Sequence, residues 1–428
     1  MKFHKHLIEK IIETLVVIFS SDVNSAKSVY ADKAIEKQLK SNRKWGSRDR
    51  KLFAESVYDL VRFRRRYWNL AQMADTDFLN PEKVSEFEIW KMWLCYIFDR
   101  GWEIPDWIYE DYGYILEDFP ESFFSSQEDW NEAKKELNFA QFQSYPDWLV
   151  EHFKQQLSDQ AEPLLRSLNE MATTYLRVNT LKTTPKELVQ ILEKEGVNIR
   201  QIKRIDSAVE LVERKNVFMT KAFKEGLFEV QDVSSQLIGE LVEVEPGMRV
   251  VDACAGAGGK SLHLGTLMKN KGKIISLDLH DWKLKELRQR ATRNGIDIIE
   301  VKVIENLKTI KRMENSFDRV LLDVPCSGSG VIRRNPDKKW KLTLEEIQRL
   351  VELQWEILTQ YQCLMKKDGK LIYATCSVFP EENDLQIQKF IKKFPEWKVE
   401  KEIKIFPHVQ GFDGFYGARL VKEHSPSI

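Results

Sequence analysis

Residues 249–261 read Arg-Val-Val-Asp-Ala-Cys-Ala-Gly-Ala-Gly-Gly-Lys-Ser. An apolar run ends in Asp252, three glycines follow (Gly256, Gly258, Gly259), and a helix-like segment occupies 260–268. That order of strand, tight turn and helix opens an α/β nucleotide-binding fold. Glycine tolerates positive φ and lets a ligand approach the backbone at the helix N-terminus. Asp278, twenty residues past Gly258, closes a second strand, the position at which such folds hold a ribose hydroxyl.

Two familiar readings of this loop fail on counting. A phosphate-cradling P-loop needs glycine at position 254, which is Cys254, and the dinucleotide fingerprint needs one at 261, which is Ser261. Asp252 on the loop would also repel a triphosphate. A nucleoside ligand carrying positive charge remains, and S-adenosylmethionine fits that description. The bland reading is a tight turn in any α/β domain.

A chain of 428 residues holds two or three domains. Lys plus Arg and Asp plus Glu are 66 each, so no global field draws in nucleic acid. The charge is local: residues 27–66 hold thirteen Lys/Arg against five acids, and residues 103–136 hold eleven acids against two lysines. A basic face near the N-terminus is therefore the expected nucleic-acid contact. The apolar run 15–19 is too short to cross a bilayer and no signal-peptide pattern is present, so the expected location is the cytoplasm, with no membrane partner. Five cysteines without a Cys-x-x-Cys pair predict neither a disulfide framework nor a zinc site. His4 and His6 have no matching partners, and no metal is expected.

Residues 1–145 read as all helical. Over 51–66, Leu52, Phe53, Val57, Leu60 and Val61 share a face. Trp90, Trp93, Trp102 and Trp107 read as core packing rather than base-stacking platforms. Arg64-Arg65-Arg66 reads either as a solvated helix end or as a grip on an RNA backbone. After Pro146 the texture changes to a small α+β segment. It has strands over 174–179, 197–205, 209–212 and 227–231, and a helix over 185–195 capped by Thr183 or Thr184. Beyond the glycine loop, strands at 273–278, 298–303, 318–323 and 370–375 alternate with helices at 281–294, 344–365 and 381–394. Such alternation implies a mostly parallel sheet with helices on both faces and its ligands at the carboxyl ends of the strands.

Two of those strands end in cysteine-bearing loops, Asp323-Val324-Pro325-Cys326-Ser327-Gly328-Ser329-Gly330 and Thr375-Cys376-Ser377. In one parallel sheet both loops emerge at the edge that carries the glycine loop, so Cys326 and Cys376 are expected to face one cleft. A cysteine is more often a small buried hydrophobe, and Cys95, Cys363 and Cys254 read that way. A thiol, an adjacent acid and a methyl-sulfonium donor suit methylation at carbon 5 of a pyrimidine. That carbon becomes nucleophilic only after a thiolate adds to carbon 6. Asp323, protonated or sharing a proton, would hydrogen-bond ring N3. Lys260 would supply part of the field that ionises the thiol.

At these residues the sequence resembles the RsmB/NSUN family of RNA cytosine-5 methyltransferases. The match rests on Asp252-Ala253-Cys254 with Gly258-Gly259-Lys260, on 323–330 and on Thr375-Cys376-Ser377. Supporting stretches are Leu176-Arg177-Val178-Asn179, 231–236, 331–336 with Trp340, and 411–415. Residues 31–66 are weakly similar to the NusB-like domain at the N-terminus of bacterial RsmB proteins. The resemblance implies a Rossmann-like class I methyltransferase domain over 236–428. A small α+β (RRM-like) platform over 146–235 and an all-helical NusB-like RNA-binding domain over 1–145 would precede it.

It further implies that Cys376 attacks carbon 6, that Cys326 is needed for release, and that Asp323 and Lys260 meet the base or the reacting centre. Asp278 would hold the cofactor ribose, and Cys254, Ala255, Gly256, Ala257, Gly258 and Gly259, with Lys260 and Asp323, would surround S-adenosylmethionine. Where the family has Ala-Pro before Gly-Gly-Lys this chain has Gly256-Ala257, and where it has an Asp near the adenine this chain offers Glu305 followed by Asn306. The expected partner is RNA, ribosomal before transfer RNA, with RNA contacts also from the platform and Arg333-Arg334. A monomer is favoured. The alternatives are a catalytically silent RNA-binding or ribosome-assembly protein and a DNA cytosine methyltransferase, whose nucleophile is the Pro-Cys thiol.

Overall fold

The computed structural model describes residues 3–21, 28–120, 123–124, 126–202 and 205–423. Lys27 of the basic stretch, residues 121–122 and 125 of the acidic one, and 203–204 of the strand expected over 197–205 lie outside them. The chain divides into two compact units, one made of Met1–Asn169 with Ile332–Leu342, the other of Glu170–Val331 with Thr343–Ile428.

The second unit carries two sheets. Strands β1 (Tyr175–Val178), β2 (Ile199–Gln201), β3 (Ala208–Leu211) and β4 (Phe228–Val230) form a small antiparallel sheet in the order β2-β3-β1-β4. Its helix Pro185–Lys194 starts as the sequence predicts: Thr184 caps it and Glu187 reaches back to the Thr184 amide. The large sheet contains β5 (Arg249–Asp252), β6 (Lys273–Asp278), β7 (Ile299–Val303), β8 (Phe317–Asp323), β9 (Met365–Thr375), β10 (Trp397–Ile405) and β11 (Phe415–Lys422), in the order β10-β11-β9-β8-β5-β6-β7. Strands β5 to β9 pair in parallel, and β11 runs antiparallel to both β9 and β10.

Successive strand residues face opposite sides of this sheet, and each side is apolar. Val251, Ile275, Val320 and Leu371 pack with Leu358 and Ile387 of the helices Leu344–Tyr361 and Asp384–Lys393. Their neighbours Val250, Ile274, Leu321 and Ile372 pack with Leu241 and Leu264 of the helices Val233–Leu241 and Gly259–Leu267. The fold is the Rossmann-like α/β arrangement that the sequence pattern implies, extended by the antiparallel strands β10 and β11. Charged residues fill most of β10 (Lys398, Glu400, Lys401, Glu402), as suits a sheet edge, and hide its strand pattern from the sequence.

The first unit is helical. Its core includes Trp90 and Trp93, buried with their rings edge to face at 5.7 Å, as the packing reading requires. The helix expected over 51–66 breaks at Phe63, between Ser47–Arg62 and Arg64–Leu70. Both readings of Arg64-Arg65-Arg66 are thereby corrected. Arg64 is buried with its guanidinium 4.1 Å from the Phe19 ring centre. Arg65 is buried between Asp75 and Asp147, and Arg66 donates to the Phe142 carbonyl at 2.5 Å. These arginines hold the helical core together rather than facing solvent or RNA.

The segment Ile332–Leu342 belongs to this helical core. Lys339 is fully buried there, donating to the carbonyls of Arg62 at 3.0 Å and Ser144 at 3.1 Å, with the Tyr145 ring centre 3.9 Å away. Trp340 donates its indole N–H to the Val61 carbonyl at 2.7 Å. Removing the ammonium leaves buried carbonyls unpaired, which costs about 1–3 kcal/mol for each group. We therefore expect Lys339→Ala to lower stability by about 3 kcal/mol. Urea unfolding followed by tryptophan fluorescence checks this, and an unchanged midpoint would contradict it.

Candidate active site

The carboxyl ends of β5, β6, β8 and β9 place Asp252, Asp278, Asp323 and Thr375 along one edge of the sheet. Between β5 and β6 the chain turns through the glycine loop. Gly258 has φ +86, and a Cβ there would lie 2.3 Å from Leu287 Cγ, so both the conformation and the space demand glycine. The loop is held at several points. The Ala255 amide donates to the Leu277 carbonyl at 2.8 Å, and the Gly256 amide donates to Asp278 Oδ2 at 2.9 Å. From β1, buried Arg177 donates to the Gly259 carbonyl at 2.7 Å and to Gln231. Burial pushes the Arg177 guanidinium down to about 9.

Asp252 is almost fully buried beneath this loop. Its Oδ2 accepts from the Ser261 hydroxyl at 2.6 Å. Burial pushes its carboxyl up to about 6, against the opposing Ser261 hydrogen bond and with added repulsion from Asp323.

A cavity of about 330 Å³ lies along the same edge, lined by Cys254, Asp278, Glu305, Ile304, Pro325 and Tyr361 among others. Three sequence-named cofactor residues thus line it: Cys254, Asp278 and Glu305. Asn306 lines it too. Ala255, Gly256, Ala257, Gly258 and Gly259 form the adjoining turn. The wall from the helix Leu344–Tyr361, including Ile357 and Tyr361, was not foreseen, and neither was Lys283. The sequence marks a helix over 344–365 but not its place on the cavity, which it reaches only through the strand order. The lining suits a cationic nucleoside: apolar side chains for a base, and Asp278, Glu305 and Glu356 as carboxylates. Asp278 is buried, with Oδ1 accepting from the His280 amide at 2.8 Å, so its orientation is fixed by backbone on both sides. Among the described residues, no group of three or more His, Cys, Asp or Glu is placed to hold a metal ion.

Beside the cavity, β8 and β9 bring the two cysteine loops together. Cys326 Sγ and Cys376 Sγ are 3.3 Å apart, and the Gly330 amide donates to the Cys376 carbonyl at 3.0 Å. Lys260, buried in the first turn after the glycine loop, donates to Asp323 Oδ2 at 2.6 Å. Burial lowers the Lys260 pKa, but the charge and hydrogen bond of Asp323, with Cys376 and Asp252, outweigh it and the ammonium is held above its ordinary value. The structure therefore gathers a pair of thiols and a buried ammonium–carboxylate pair at one sheet edge.

Residues 240–421 match the model of the 16S rRNA methyltransferase RsmB/F family, and residues 145–218 match that of the RsmF/B-like ferredoxin-like domain. A Bacillus subtilis (strain 168) protein named "Probable ribosomal RNA small subunit methyltransferase B" is 36% identical over 299 residues, covering 65% of this chain and 67% of its own. The chain belongs to the RsmB/F methyltransferase family. A ribosomal RNA small subunit methyltransferase B from Photorhabdus laumondii is 33% identical, over 65% of this chain and 66% of its own. Among solved structures, PH0851 superposes with TM-score 0.78 at 26% identity, covering 99% of this chain and 100% of its own. NSun6 from Pyrococcus horikoshii, determined with an S-adenosylmethionine analogue, shares the fold, with TM-score 0.61 at 20% identity over 66% of this chain and 100% of its own.

The buried carboxyl shared by this fold edge has a measurable signature. Asp252 has a folded pKa raised above its unfolded 3.8, so its contribution to stability is full below 3.8 and is lost as pH rises through about 6. Asp252→Asn carries no such charge. Between pH 4 and pH 7 its stability should therefore rise relative to the unsubstituted protein, by on the order of 2 kcal/mol. Urea midpoints at the two pH values measure this; parallel pH profiles would show that Asp252 ionises freely.

Proposed function

We propose that this protein methylates carbon 5 of a cytosine in ribosomal RNA through a covalent cysteine–cytosine adduct, in the cytoplasm. The observation that carries the reading is the pair of thiols at 3.3 Å, standing just past the ends of adjacent parallel strands, with Asp323 at the end of β8 paired to Lys260 of the helix Gly259–Leu267. The relatives' names, ribosomal RNA small subunit methyltransferase B, support the substrate class.

S-adenosylmethionine, when bound, supplies an electrophilic methyl group on positively charged sulfur. Asp278 and Glu305 with Cys254 would hold its nucleoside, and the turn Ala255 to Gly259 would hold its amino-acid end. The remaining chemistry falls to this chain's own side chains. The Cys376 thiolate adds to carbon 6 of the cytosine, and the electron pair of the 5,6 double bond moves toward N3. The proton held between Lys260 and Asp323 is at hand for N3, which neutralises the developing charge. Carbon 5 is then an enamine carbon and accepts the methyl group. Loss of the carbon 5 proton to a base restores the 5,6 double bond and expels Cys376 as thiolate, while N3 returns its proton to the Lys260–Asp323 pair. Cys326, 3.3 Å from Cys376, is placed to assist that second half.

Cys326→Ala should accumulate a protein–RNA adduct on a denaturing gel, with unmodified ribosomal RNA and S-adenosylmethionine, and Cys376→Ala should form none. The reverse pattern would make Cys326 the nucleophile, the arrangement of DNA cytosine methyltransferases. No adduct in either variant, on RNA shown to bind, would favour a silent RNA-binding protein, and an adduct on transfer RNA alone would move the substrate.

RNA contact falls to the basic residues that remain exposed once Arg64 and Arg65 are assigned to the core: Lys33, Lys37, Lys40, Arg43, Lys44, Arg48 and Lys51. Each phosphate contact adds about 0.7–0.9 to the slope of log affinity against log salt. Neutralising Lys40, Arg43 and Lys44 together to Gln should make that slope shallower by about 2. A salt titration with an unchanged slope would remove this face from RNA binding.

A further inference from the structure

One buried carboxylate outside the residues so far assigned ties the two thiol loops to each other. Glu382 ends the short turn Pro380–Glu382 and is 0% exposed. Its Oε1 accepts from the Ser327 amide at 2.8 Å and from Gln354 Nε2 at 2.9 Å. Its Oε2 accepts from the Ser327 hydroxyl at 2.5 Å and from the Ser377 hydroxyl. Ser327 and Ser377 are the residues directly after Cys326 and Cys376. Both are buried, and so is Ser329, whose hydroxyl lies 2.9 Å from that of Ser377. The turn is fixed in its own right, because the Tyr373 hydroxyl donates to the Glu382 carbonyl at 2.6 Å and Gln354 also donates to the Pro325 carbonyl at 2.9 Å.

A buried carboxylate is tolerated where several donors converge on it, and here four do so. The two loops also meet directly, the Gly330 amide donating to the Cys376 carbonyl and the Val378 amide to the Ser329 hydroxyl, each at 3.0 Å. Glu382 adds to these a single buried group that accepts from the residue directly after each thiol.

We infer that Glu382 is a positioning residue that sets the distance between Cys326 and Cys376, and with it the passage from covalent attack to release. The role in catalysis rests on the reading of the two thiols given above; the control of their separation does not. The carboxylate touches neither sulfur. It acts through Ser327 and Ser377.

The consequence for variants follows from donor chemistry. Gln at 382 can still accept at one atom, and serine hydroxyls can rotate to accept from its amide, so the tie survives in part. Ala removes all four acceptor contacts at once. The test uses the full-length protein and a short bis-electrophile, dibromobimane, which becomes fluorescent only when both arms have alkylated thiols. Each thiolate displaces one bromide. A second reading follows methyl transfer to ribosomal RNA.

Glu382→Ala should bridge Cys326 and Cys376 about tenfold more slowly, and lower kcat about a hundredfold with KM for S-adenosylmethionine within about twofold. Glu382→Gln should restore most of both. If Glu382→Ala does not unfold cooperatively, the double variant Ser327→Ala/Ser377→Ala, which removes the hydroxyl anchors and keeps the carboxylate, should show the same slowed bridging. Unchanged bridging in a folded variant would overturn the inference. Slowed bridging in variants of a protein that methylates no cytosine would keep Glu382 as the spacer of the thiols and overturn the catalytic reading instead.

Discussion

Everything at the site depends on the parallel pairing of β5 with β6 on one side and β8 on the other. The chain leaves β5 toward β6 and β7, and later returns to β8 and β9 on the opposite side, so the strand order reverses at β5. At such a reversal the loops diverge to opposite faces and leave a crevice at the carboxyl ends. Asp252, Asp278, Asp323 and Thr375 all lie at strand ends around that crevice. Lys260 and Asp323, 63 positions apart in sequence, thus come to 2.6 Å, and Cys326 and Cys376, 50 apart, to 3.3 Å.

The crevice is rich in carboxylates, and their burial is the main electrostatic cost. Each is answered differently. Asp278 takes backbone amides from Gly256 and His280, Asp323 takes the Lys260 ammonium, and Glu382 takes hydroxyl, amide and side-chain amide donors. Asp252 takes the Ser261 hydroxyl, and burial pushes its carboxyl up to about 6. A carboxyl poised there and an ammonium held above its ordinary value sit at the base of the glycine loop, where a cationic ligand and an ionisable thiol both need a defined field.

The helical unit shows how little a local charge count says about exposure. Arginines at 62, 64 and 65 are buried, and Lys339 is wholly so. Their heads meet carbonyls, carboxylates and aromatic faces. The Ile332–Leu342 segment, which follows the Cys326 loop directly in sequence, contributes Lys339 and Trp340 to that core. The chain near the thiols therefore also supplies part of the helical unit.

By itself the sequence determined the parts whose physics is local: the glycine loop, the cap at Thr184, the strands ending in Asp278 and Asp323, and the two cysteine loops. Period and turn chemistry are written residue by residue, so those elements lie within a few residues of where the pattern places them. Only the tertiary structure decided what depends on strand order and burial. It buried Arg64 and Arg65, hid the charged edge strand β10, brought the helix Leu344–Tyr361 to the cavity, and set Glu382 between the thiol loops. No sequence pattern carries that information, because the distance between Ser327 and Ser377 is fixed by the pairing of β8 with β9 and by the group that bridges them.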